Sequence, residues 1–68
     1  MEKQKIIEIT TTLEKIDETN KMISFHRQFD QPDTNAIENF EQLRIDFLNQ
    51  LAQLLREYHV EIKLPKAV

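Results

Sequence analysis

NAIENFEQLRIDFLNQLAQLLREYH, running from Asn35 to His59, is the stretch that decides the fold. At 100° per residue, Ile37, Phe40, Leu43, Phe47, Leu48, Leu51, Leu54, Leu55 and Tyr58 fall in one arc roughly 140° wide. Gln42, Asp46, Asn49, Gln50, Gln53 and Glu57 lie outside it. The pattern is that of a strongly amphipathic helix. Its apolar face is too broad for a single helical neighbour, so the main question is what that face buries against.

Sixty-eight residues suit one domain, spanning residues 1–68. Hydrophobic residues make up 40% and charged residues 31%, ordinary for a globular chain and too apolar for disorder. There is no glycine and there are two prolines. Sheet-rich folds use glycine where turns need φ > 0, so its absence favours long helices joined by few, undemanding turns. The absence of cysteine excludes disulfides, thiolate metal sites and cysteine nucleophiles. Apolar runs no longer than pairs such as Ile6-Ile7 or Leu54-Leu55 predict no membrane span. Without a signal-peptide core or lipidation motif near Met1, the expected location is cytoplasmic.

Working outward, residues Lys3 to Ile23 carry a heptad seam. Ile6, Ile9, Leu13, Ile16, Asn20 and Ile23 follow a 3-4-3-4-3 spacing, with Asn20 its one polar member. Asn20 is the candidate register residue, because a seam amide needs a polar mate. The β-branched run Ile6, Ile7, Ile9, Thr10, Thr11 and Thr12 competes as a strand, but it yields no clean alternating face. Helix is the better reading. Met22, Phe25 and Phe29 share a face rotated away from the seam, and Lys21, His26 and Arg27 suit a helix C-terminus. Asp30-Gln31-Pro32-Asp33 is a break. The first helix is therefore expected over about 3–29 and the second over about 34–59. Asp33, Thr34 and Asn35 are all good N-caps, and Asn35 with Glu38 resembles a capping box. Glu38 and Glu41 in the early turns complement the helix dipole.

The end of the chain changes period. Tyr58, Val60, Ile62 and Leu64 alternate with His59, Glu61 and Lys63 before Pro65. Such a tail either pairs as a strand with another chain or lies extended over the bundle, and Val60, Ile62 and Leu64 are its candidate partner-binding residues.

Chemical motifs are thin. His26, Asp30 and Asp33 sit close in sequence and suggest a divalent metal, but structural zinc wants more His or Cys, and a surface group is the expected reading. Glu14 and Glu18 belong to a charged face rather than a cleft that would shift their pKa values. No Gly-rich phosphate loop, Ser-His-Asp arrangement or HExxH is present. The expectation is a non-enzyme with no cofactor and no small-molecule substrate. The net charge of −3 and the scattered cations Lys3, Lys5, Arg27, Lys63 and Lys66 argue against nucleic acid. Arg44 lies inside the apolar stripe of the second helix. Its stem is expected to snorkel over apolar surface, the sharper alternative being a contact between chains to a carboxylate or to Asn20.

The sequence thus predicts an all-α antiparallel helical hairpin with a short extended or strand-like tail, dimerising into a four-helix bundle. The residues expected at the interface between copies are Phe40, Leu43, Arg44, Phe47, Leu48, Leu51, Leu54, Leu55 and Tyr58. The function expected of such a chain is a protein–protein interaction or assembly module acting as a homodimer. The rival is a small DNA-binding regulator or antitoxin-like protein.

Overall fold

A computed structural model of the chain describes residues 2–63. It holds two α-helices, α1 (Glu2–Arg27) and α2 (Thr34–Arg56), packed against each other as a hairpin. Each helix is within a few residues of its expected span. The β-branched run near the start is helical, and threonine hydroxyls along α1 are satisfied within the helix. Thr10 Oγ1 donates to the Ile6 carbonyl at 2.9 Å, Thr12 Oγ1 to that of Glu8 at 2.8 Å, and Thr19 Oγ1 to that of Lys15 at 2.7 Å. A strand would leave those hydroxyls to other partners.

The hairpin turn follows from local chemistry. The Gln28 amide donates to the Phe25 carbonyl as α1 closes, and Pro32 prevents its continuation. Asp33 then takes an extended conformation (φ −76°, ψ 96°), and its Oδ1 accepts from the Ala36 amide at 3.1 Å. The cap therefore lies two residues before Asn35, and Glu38 falls beyond the first turn, where no acidic residue stands. The extended residue between Pro32 and the helix is the one with a free carboxylate in reach of the exposed amides.

The facing row of α1 differs from the predicted seam. Ile9, Ile16 and Ile23 turn inward as expected, and Ile23 is only 2% exposed. Their companions are Thr12 and Thr19, both buried, with half-buried His26 at the loop end. Ile6 (55% exposed), Leu13 (50%) and Asn20 point outward instead. The helix is thus rotated by roughly 50° about its axis from the predicted setting, at 100° per residue. Two physical reasons favour this. The small threonines, with hydroxyls already satisfied, let α1 approach the bulky stripe of α2 without leaving a buried donor unpaired. The rotation also lifts the Asn20 amide to the edge, where it meets Arg44.

In the single chain the described part of the tail, residues 60–63, carries no strand pairing. The chain leaves α2 by a Schellman-type closure: the His59 amide donates to the Arg56 carbonyl (3.0 Å) and the Val60 amide to the Leu55 carbonyl (3.1 Å). His59 takes the left-handed position with φ 62°, where glycine is the usual residue. The expectation for Leu64 and Pro65 lies outside the described residues.

Cα dimensions of 47 × 24 × 13 Å describe a plate one helix layer deep. Folded domains are ordinarily built from two or more layers around a shared core. Here both broad faces are open.

Candidate interaction surface

The inward row of α2 is Ile37, Glu41, Arg44, Leu48, Leu51 and Leu55, all buried or half-buried. Leu51, only 7% exposed, and Ile37 are its deepest members. Of the residues expected at an interface between copies, Leu51, Leu48, Leu55 and Arg44 are therefore engaged first with α1 of their own chain. Phe40, Phe47 and Leu54 are half-buried along one edge of that row, while Leu43 and Tyr58 are exposed.

One face of the hairpin combines polar and apolar halves. Near the loop, Arg44 Nη1 donates to Asn20 Oδ1 at 2.8 Å, and Arg27 Nη2 to Glu41 Oε2 at 3.0 Å. Glu41 Oε2 also lies 3.9 Å from Arg44 Nη2, so the four side chains form one run of charge-assisted contacts between the helices. Within the single chain Arg44 thus does more than snorkel over apolar surface: it meets Asn20 across the hairpin. Ile6 and Leu13 stand exposed on this side toward the termini.

The opposite face is apolar near the loop. A groove of ≈ 250 Å³ is lined there by Lys15, Glu18, Met22, Phe40, Leu43 and Phe47 among others. Lys15 Nζ sits 5.6 Å from the Phe47 ring centroid, a cation–π distance. His26 stacks on Phe40 at 5.6 Å, and Phe25 meets Phe29 edge-on at 5.2 Å. Phe25 and Phe29 are about half exposed. Toward the termini this face opens into a wider groove of ≈ 600 Å³, bordered by Gln4, Ile7, Glu8, Thr11, Lys15 and Leu54. Lys5 crosses its end to reach Glu57 at 3.0 Å, and that hydrogen bond holds the ammonium pKa above its ordinary value. Lys21 is raised likewise by Asp17, 3.0 Å away.

The three residues weighed for a metal take other roles or stand apart. His26 stacks on Phe40 and Asp33 caps α2. Among the described residues, no three His, Cys, Asp or Glu side chains gather as ligands would. No helix there is long and apolar enough to cross a membrane.

Spacing alone places Ile6 and Leu13 in the seam and gives Ile7 and Lys15 no surface role. The signal that would have found them is the second row at the same 4-3 spacing: Ile9, Thr12, Ile16, Thr19, Ile23 and His26. Threonine made that row look polar.

The fold and its surface define a class: an antiparallel two-helix hairpin, one layer deep, with apolar side chains on both faces. No protein-family model matches the chain, and no curated protein and no solved structure matches it significantly.

Proposed function

We propose that this chain is a non-enzymatic protein–protein interaction module that works as a homodimeric four-helix bundle. The observation that carries the reading is unburied surface. The hairpin is a plate one helix layer deep, and Ile6, Ile7, Leu13, Phe25 and Phe29 are each about half exposed on it. Apolar side chains at such density on opposite faces mark association surfaces.

The rival reading, a DNA-binding regulator, draws less support. Arg27, Arg44, Lys5 and Lys21 each engage a carboxylate or amide of the same chain, leaving them poorly placed to meet phosphates. Sedimentation equilibrium of the full chain at micromolar concentration tests the proposal. A mass twice that of the chain is expected, and a folded monomer would overturn it.

A further inference from the structure

We infer that the second copy docks on the face bearing Met22, Phe40, Leu43 and Phe47, about a two-fold axis that crosses both helices beside Phe47. This rests on the self-association reading above and adds the surface and the register.

Both grooves open on this one face, because Lys15 lines each of them. The loop end is apolar: Met22, Phe40, Leu43 and Phe47 line its groove, and Phe25 meets Phe29 edge-on where α1 ends. The terminal end is a groove whose walls carry Ile7 and Leu54 among polar side chains such as Glu8, Gln50 and Gln53. A two-fold contact on this face lays the apolar loop end of each copy over the terminal end of the other, so each copy supplies both halves of the contact.

The register follows from charge. Lys15 and Glu18 both border the loop-end groove, yet among the described residues neither takes part in an ion pair. An axis crossing α1 midway between them sets each Lys15 level with Glu18 of the second copy. The same axis sets Met22 level with Thr11 of the second copy and Phe25 level with its Glu8, beside Ile7. On α2 it passes Phe47, which already touches Lys15, and brings Phe40 level with Leu54 of the second copy. One operation therefore pairs the charges and sets apolar Phe40 against Leu54. Every adjacent helix pair in the resulting bundle is antiparallel, which is favourable for the helix dipoles.

Size and contrast with the other face point the same way. The plate measures 47 × 24 Å, roughly 1,100 Å² in projection, against about 800 Å² per partner for a standard interface. On the opposite face a two-fold contact would lay Ile6 and Leu13 of one copy over the polar run of Asn20, Arg27, Glu41 and Arg44 of the other. Those polar groups are satisfied already and would lose water without gaining partners.

Sedimentation equilibrium on full-length variants, with helicity checked by circular dichroism, tests this. Leu43 is 39% exposed, so Leu43→Glu leaves the hairpin intact. It is expected to raise the dimer Kd by about 30-fold or more, the cost of burying two unpaired carboxylates. Leu13→Glu, on the other face, is expected to leave Kd unchanged. Lys15→Glu and Glu18→Lys singly are each expected to weaken the dimer by about five- to tenfold through two like-charge contacts, with the double exchange restoring wild-type Kd. A wild-type chain that is monomeric overturns the self-association reading, and this inference with it. A wild-type dimer broken by Leu13→Glu but not by Leu43→Glu leaves self-association standing and overturns the surface. Failure of the double exchange to restore affinity overturns the register.

Discussion

Replacing Leu51 by alanine probes the fold at its most exacting point. Leu51 is 7% exposed in the single chain and sits between Leu48 and Leu55 on the row facing α1. Losing three carbons removes about 2–2.5 kcal/mol of transfer free energy at about 0.8 kcal/mol per buried methylene. A cavity adds about 24 cal/mol per Å³ that does not collapse. In an isolated plate one layer deep, the vacated space opens to water within a side chain's length, so the loss stays near 2–3 kcal/mol. In a covered bundle relaxation is restricted, and a loss of about 3–5 kcal/mol is expected. A chain of this size has only some 3–10 kcal/mol in total, so either value is large. Urea denaturation followed by far-ultraviolet circular dichroism, at two protein concentrations tenfold apart, measures it. The midpoint should rise with concentration, because dimerisation stabilises the folded state by mass action. A loss below about 1 kcal/mol would refute the assignment of Leu51 to the core. Leu13→Ala supplies the internal contrast. With Leu13 half in water it should cost under about 1 kcal/mol, and a loss of 2–5 kcal/mol would restore the seam read from spacing alone.

Three further outcomes follow. Asp33→Ala should destabilise the chain by about 1 kcal/mol, read from the same urea curves, because the Ala36 amide loses its acceptor. His59→Gly should stabilise it by about 0.5–1 kcal/mol, since the left-handed φ strains a residue with a Cβ; an unchanged melting curve would mean the Schellman closure does not persist in solution. A double-mutant cycle between Asn20→Ala and Arg44→Met should give a coupling of about 0.5–1 kcal/mol within one chain, and a coupling of zero would refute the contact between them.

Much of the architecture was legible in residues 35–59 and in the break at Asp30-Gln31-Pro32-Asp33. Helical periodicity, a proline stop and a capping carboxylate all act over a few residues, so a linear reading captures them. The hairpin needed nothing more. The inward row of α1 was a different matter. Ile9, Ile16 and Ile23 belong to two overlapping heptad rows, one completed by Ile6, Leu13 and Asn20 and the other by Thr12, Thr19 and His26. Hydrophobicity favours the first row. The structure takes the second, because threonine hydroxyls can be satisfied inside their own helix and an asparagine amide cannot. Only the position of Arg44 across the hairpin gives Asn20 a partner at the edge.

The sequence by itself thus determined that two matched helices form, where they turn, and that α2 carries more apolar width than one neighbour can cover. Those are properties of local bonding and of 3.6-residue geometry. The tertiary structure decided the roughly 50° rotation of α1, and with it which apolar side chains are enclosed and which face outward. That choice depends on volumes and hydrogen-bond partners supplied by residues some twenty to forty positions apart, which no pattern along one helix records.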